Sequence, residues 1–186
     1  SRAAQDAKVI RRCQDGELAA FEELVRRYRD TAVRLALGFL RNPDDAVDAS
    51  QDAFVRALEA LPRFDSAQPF FPWFYAILRN VCFNRLRRRR RLGEVPLEET
   101  GGPSDRRAEA RPAPADAGED LAAAVGRAME RLSPEHREVV ALRHWQELSY
   151  EEIAAATATP VGTVMSRLHY ARRELRRALE AEGGTL

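Results

Sequence analysis

The stretch AILRNVCFNRLRRRRRL, residues 76–92, ends in five consecutive arginines, Arg87 to Arg91, and follows directly on Trp73, Phe74 and Tyr75. These residue types suit a nucleic-acid strand. Arginine grips phosphate oxygens through a planar fork of donors. Aromatic rings stack on unpaired bases for about 1–3 kcal/mol each. Asparagine pairs with base edges, and Asn80 and Asn84 lie in the same stretch. A solvated helix end, whose dipole favours cations, accounts for one or two of the arginines but not for five in succession. With helical period, Phe70, Trp73, Phe74, Ile77 and Val81 share one face, and most of these aromatics are expected in the core. Tyr75 and Arg79, four residues apart on another face, are the better contact candidates. Arg87 to Arg91 are expected to hold phosphates of the upstream duplex without reading sequence.

A second constellation lies near the C-terminus. Ser149-Tyr150-Glu151-Glu152 is a capping box, in which serine and the glutamate three residues on satisfy each other's backbone donors. Thr159-Pro160 is a second start signal, a cap followed by proline at the first helical position. A short helix, a tight turn and a second capped helix make a helix-turn-helix, whose second helix enters a DNA major groove. That helix carries Thr163, Ser166, Arg167, Tyr170, Arg172, Arg173, Arg176 and Arg177 around a narrow apolar stripe, with Glu174 as its one acid before Leu179. A merely solvated helix more often mixes both signs of charge, so DNA is the favoured ligand.

Catalytic chemistry finds no comparable constellation. His136, His144 and His169 are scattered, and none makes a metal-ligand spacing with Cys13 or Cys82. No glycine-rich phosphate loop is present. The reading is therefore no enzyme, no metal and no cofactor.

The rest of the chain must position these groups. Its 186 residues hold 30 Lys+Arg against 29 Asp+Glu, a net charge of +1, so the basic stretches are local and not part of a general basic coat. Two isolated cysteines form no disulfide framework and suit a reducing compartment. No apolar run reaches the ~20 residues of a membrane span. The polar start, Ser1 to Asp6, has no signal-peptide core. A cytoplasmic location without membrane insertion is expected.

Nearly every patterned segment has helical period. A short helix is expected over Ala4 to Gln14, stopping at Asp15-Gly16. A long one follows, its apolar stripe made of Leu18, Phe21, Val25, Tyr28, Ala32, Leu35 and Phe39. Asn42-Pro43 breaks it. The third helix begins near Asp44 and Asp45, with Val47, Phe54, Leu58 and Leu61 buried. Residues 62–69 form a loop, and the fourth helix starts near Phe70. Residues 93–119 are rich in proline and glycine without apolar period and read as a flexible linker. Beyond it come a helix over Leu121 to Leu132, one opened by Ser133-Pro134 that buries Val139, Val140, Leu142 and Trp145, and the helix-turn-helix pair, whose last helix turns Val161, Val164, Leu168, Leu175 and Leu179 inward. The expected fold class is all-α, with two small helical domains, 1–92 and 120–186, joined by the linker.

Several of these stretches, in order, resemble a bacterial extracytoplasmic-function (ECF) sigma factor of the minimal two-domain type. DGELAAFEELVRRYRDTAVRLALGFL resembles the start of region 2, and DDAVDASQDAFVRALEAL its polymerase-binding helix. PWFYAILRNVCFNRLRRRRR resembles the helix that melts and reads the minus-ten element. LSPEHREVVALRHWQELSYEEIA with PVGTVMSRLHYARREL resembles region 4. The resemblance implies that Asp48, Gln51, Asp52 and Phe54 dock on core RNA polymerase. It implies that the loop from Phe64 to Pro72, with Phe64, Ser66 and Gln68, captures a flipped base. Flipping costs a few kcal/mol that a pocket and stacking must recover. Trp73, Tyr75, Arg79, Asn80, Asn84, Arg85, Arg87 and Arg88 complete the minus-ten set. Arg143, Thr163, Met165, Ser166, Arg167, His169, Tyr170, Arg172 and Arg173 form the minus-thirty-five set.

The linker matches the segment that threads through the polymerase, and an anti-sigma factor is the implied regulator. Three positions depart from the family pattern. Asn84 stands where an acid is common and Met165 where a cation is common. Thr157-Ala158 replaces the usual Leu-Gly turn, so Ala158 must enter a left-handed conformation without glycine's freedom. The competing reading, a stand-alone helix-turn-helix regulator of duplex DNA, explains residues 120–182 and leaves the N-terminal half unexplained.

Overall fold

A computed structural model describes residues 2–92 and 117–181, with side chains from residue 123 in the second stretch. Among the described residues every regular element is helical. The chain divides into two compact units, each described by itself.

The first unit begins with α1 (Arg2–Gln14), which stops where Gly16 takes a positive φ of 104°. A 3₁₀ turn, Leu18–Ala20, feeds α2 (Phe21–Leu40). The expected stripe of α2 is rotated slightly. Phe21, Leu24, Tyr28, Ala32, Ala36 and Leu40 are buried, Val25, Leu35 and Phe39 are half-buried, and Leu18 is exposed. The expected stripe alternates steps of three and four, whereas the buried set from Leu24 onward steps by four, so on a 3.6-residue helix the two lines diverge and Leu35 and Phe39 fall beside the core face. Helix α1 is locked to α2 by the buried carboxylate of Asp6, which accepts from Tyr28 Oη at 2.5 Å and pairs with Arg27. Burial, then the bond to Asp6, pushes the Tyr28 hydroxyl pKa up, so it stays protonated as the donor.

Asn42 caps α3 (Pro43–Ala60). Its side chain accepts from the Asp45 N–H at 3.0 Å, and Pro43 occupies the first turn, where its missing N–H costs nothing. The buried face of α3 is not the expected set of large residues. Ala46, Ala49, Ser50, Ala53, Phe54 and Ala57 face inward, Leu58 is half-buried, and Val47 is exposed. Alanine carries little periodicity signal, so the bulkier Val47 misleads a pattern reading. A 3₁₀ turn, Leu61–Arg63, ends the helix, and α4 (Phe70–Arg91) follows. The core is aromatic. Phe54 stacks on Phe74 at 4.4 Å and meets Phe21 edge-on at 6.4 Å, while Tyr28 packs on Phe70 and Phe71 at 5.6 and 5.2 Å.

In the second unit, α5 (Ala117–Arg131) starts before the expected Leu121, so residues 117–119 are helical and not linker. The remainder of the expected linker, 93–116, lies outside the described residues. Ser133 caps α6 (Pro134–His144), accepting from the His136 N–H at 3.2 Å. Val139, Val140 and Leu142 are buried as expected. Trp145 is exposed: it falls at the helix C-cap, past the last turn that faces the core. The capping box forms, with Ser149 N–H on Glu152 at 2.7 Å and Glu152 N–H on Ser149 Oγ at 3.1 Å, and opens α7 (Tyr150–Thr157). Ala158 adopts φ 52°, the left-handed turn expected of it. In α8 (Val161–Ala181), Val164, Leu168, Ala171 and Ala178 are buried, while Val161, Leu175 and Leu179 are only half-buried. Helices α5 and α6 both pack on α8.

An alanine at positive φ carries strain that glycine lacks. Ala158→Gly is expected to stabilise the protein by about 0.5–1 kcal/mol, read as a higher urea midpoint; a lower midpoint refutes strain at this turn. Burial pushes the Cys82 thiol up to about 12. It is therefore expected to resist a thiol-specific reagent at pH 8 and to react at once in denaturant.

Candidate nucleic-acid interface

The end of α4 that holds the arginines lies beside α3, and the two helices are joined by ion pairs. Arg85 Nη2 is 2.5 Å from Asp52 Oδ2, and its Nη1 is 3.8 Å from Asp48 and 4.0 Å from Asp45. Arg89, one turn on, pairs with Asp45. Arg87, pointing elsewhere, donates to Asn84 Oδ1 at 3.0 Å. Arg87, Arg88, Arg90 and Arg91 are exposed. The expected phosphate-binding arginines and the expected polymerase-docking acids are thus partly engaged with each other.

The loop before α4 is built by short-range bonds. Gln14 of α1 donates to the Leu61 and Phe64 carbonyls at 2.9 and 2.8 Å, pinning the loop's entrance. Asp65 then accepts from the Ala67 N–H at 2.9 Å, an Asx turn that fixes its tip. Gln68 is exposed and Ser66 half-exposed. Phe64 is buried against Trp73 at 4.4 Å, and together with Pro62, Arg63 and Glu59 these rings line an open cleft of about 480 Å³. Trp73 is half-buried, part core and part cleft wall.

Along α4 the expectations divide. Asn80 and Asn84 are exposed, as a base contact requires. Arg79 lies over the Phe83 ring at 4.5 Å. Tyr75 is a correction. It is wholly buried, so its ring offers no face to a base in this conformation. Two buried faces converge on α4, one from α2 and one from α3, and a single-stripe reading of the helix assigns Tyr75 to the wrong side. Phe64, at 7% exposure, is likewise a wall and a support, not a free stacking platform.

On α3, Asp48, Gln51 and Asp52 face outward, and Phe54 faces the core. The outward face also carries Val47 and Val55, 41% and 57% exposed, which no sequence signal marked as surface residues. They stand at i and i+8 with Gln51 between them, and this spacing, on a helix whose alanines face inward, could have revealed them.

The outer face of α8 presents Met165, Ser166, His169, Tyr170, Arg172 and Arg173, all exposed, with Thr163 and Arg167 half-exposed. Ser166 Oγ donates to the Thr163 carbonyl at 3.0 Å. Tyr170 is held between neighbours: His136 lies parallel to it at 6.4 Å, and the Arg173 guanidinium sits 5.2 Å from its centroid. His136 also meets Glu174 at 3.2 Å. Arg143 is half-buried, donates to the Leu148 carbonyl at 2.8 Å and lies over Tyr150, so it braces the α6–α7 turn.

Known proteins share this arrangement. The family model for sigma-70 region 2 matches residues 24–92, and that for sigma-70 region 4 matches 122–175. The RNA polymerase sigma-H factor of Pseudomonas aeruginosa is 32% identical over 182 residues, 95% of this chain and 94% of that protein. The ECF RNA polymerase sigma factor SigW of Bacillus subtilis is 30% identical over 178 residues, 92% of this chain and 95% of its own. The chain belongs to the ECF RNA polymerase sigma factors. A solved structure of CnrH in complex with the cytosolic domain of CnrY superposes on this sigma factor with a TM-score of 0.63 at 28% identity, covering 95% of this chain and 97% of CnrH. Among the described residues no helix is long and apolar enough to cross a membrane.

In this sigma factor Tyr75→Ala is expected to cost about 3–5 kcal/mol of stability, as for other large aromatic truncations in cores. Urea unfolding reads this directly. A loss of promoter opening at unchanged stability would return Tyr75 to the DNA surface.

Proposed function

We propose that this chain binds core RNA polymerase, directs it to specific promoters and helps open the DNA there, acting in the cytoplasm by binding and not by catalysis. The supporting observation is the split surface of α3 and α4. One helix offers an outward face of Val47, Asp48, Gln51, Asp52 and Val55, suited to a partner with apolar contacts and cations. Its neighbour offers exposed Asn80, Asn84, Arg87 and Arg88, suited to a DNA strand and its phosphates. Phe54 supports the docking face from within.

In the minus-ten element the reading assigns base contacts to Asn80, Asn84, Ser66 and Gln68, with the Phe64–Trp73 cleft beside them. Arg79 flanks this set. In the minus-thirty-five element it assigns the exposed residues of α8, with Arg172 and Arg173 suited to guanine edges or phosphates. Met165 offers apolar contact where a cation is common, which favours a thymine methyl. Arg143 acts by holding the turn that aims α8. Residues 1–92 and 120–186 serve as the two promoter-reading domains. The similar CnrH is seen with a cytosolic partner domain, which supports control of this chain by a protein of the anti-sigma kind.

Run-off transcription with core polymerase on a library of promoter fragments tests the reading. Specific initiation that depends on the added protein supports it. Tight sequence-specific duplex binding without polymerase, and no initiation, favours the stand-alone regulator. Val55→Asp is expected to weaken core polymerase binding about tenfold or more at unchanged stability, because it places a charge in the centre of an apolar contact. Unchanged affinity in a fluorescence titration removes α3 from the interface.

A further inference from the structure

The arginines at the end of α4 fall into two sets. Arg85 and Arg89, one turn apart, face α3 and are 28% and 30% exposed. Three carboxylates, Asp45, Asp48 and Asp52, stand against these two guanidiniums. Arg88, Arg90 and Arg91 are exposed and make no ion pair with a described residue.

The charges decide what each set can do. Asp45, Asp48 and Asp52 follow one another at three and four residues along α3, the spacing at which like charges repel. Arg85 lies among all three and turns that repulsion into attraction. A guanidinium that is already bonded to Asp52 and lies 3.8 and 4.0 Å from Asp48 and Asp45 has fewer donors left to offer a phosphate. Asp48 and Asp52 nevertheless stay 64% and 51% exposed, so Arg85 holds them without covering them. A carboxylate has two oxygens, and Arg85 meets those of Asp48 and Asp52 through Oδ2 alone, which leaves capacity to accept from a partner.

We propose that Arg85 is a positioning residue for the polymerase-docking carboxylates Asp48 and Asp52 of α3, and that neither it nor Arg89, which pairs with Asp45, is a phosphate contact, the DNA backbone being held by Arg87, Arg88, Arg90 and Arg91. The proposal rests on the reading of α3 as the docking helix. It assigns the arginine-rich segment two jobs that its uniform composition conceals. The pairs are too exposed to carry much of the stability, so their removal leaves the fold in place.

The test uses the full chain and core RNA polymerase. Arg85→Gln is expected to weaken core binding by roughly three- to tenfold at an unchanged unfolding midpoint, with Arg85→Lys restoring part of the loss. Asp52→Asn is expected to weaken it as well, and the double variant to lose clearly less than the product of the two single losses, since Arg85 acts in part through that carboxylate. Preformed holoenzyme is then titrated with forked promoter DNA over a range of salt. The slope of log affinity against log salt is expected to be unchanged in Arg85→Gln and in Arg89→Gln, and to fall by about 1 in Arg88→Gln. Core affinity in Arg85→Gln that is unchanged or tighter overturns the proposal, as does a promoter slope that falls by about 1. The two readings separate cleanly: if Asp52→Asn itself binds core normally, the docking assignment of α3 fails. If Asp52→Asn is weakened and Arg85→Gln is not, only the positioning role fails.

Discussion

The N-terminal unit depends on how closely α3 can approach α4. Ala46, Ala49, Ala53 and Ala57 make most of the inward face of α3, which packs on α2 and α4. Small contact residues bring helix axes to the near end of the usual 8–10 Å range. At that separation the short side chains of Asp45, Asp48 and Asp52 reach Arg85 and Arg89 across the seam. Phe54 is the one large side chain on this face, and it seats on Phe74. The same approach that builds the core therefore sets the pattern of charge on its surface.

Function follows from what that contact leaves outside. With alanines consumed by the core, the valines and acids of α3 face outward, on the surface proposed for docking. With Tyr28, Phe54 and Phe64 gathered around the first turns of α4, its aromatic start becomes structural. The polar residues further along, Asn80 and Asn84, remain available to DNA. The loop between the helices is pinned at its entrance by Gln14 and shaped at its tip by Asp65, which suits a segment that must hold a base in one geometry.

The C-terminal unit solves a different problem with local devices. Two side-chain caps, Ser133 and Ser149, start its helices, and Ala158 turns the chain between α7 and α8 at a backbone angle that alanine tolerates poorly. The outer face of α8 is then arranged by neighbours: His136 of α6 sits against both Tyr170 and Glu174. A reading surface on α8 is thereby steadied from α6.

The sequence alone determined the helical class, the order of elements, the caps at Ser133 and Ser149, the left-handed Ala158 and the family. These are local matters: a cap, a turn or a period is written within a few residues of where it acts. It also marked Asn80, Asn84 and the face of α8 as polar and outward. Only the tertiary structure decided that Tyr75 is core, that Phe54 supports the docking face from beneath, that Val47 and Val55 are surface residues, and that Arg85 belongs to α3. Each of those facts depends on which neighbour a helix face meets, and α4 meets two. Arginines identical in composition differ in surroundings because 3.6 residues per turn points Arg85 and Arg89 at carboxylates of α3, far earlier in the chain, and their neighbours at solvent.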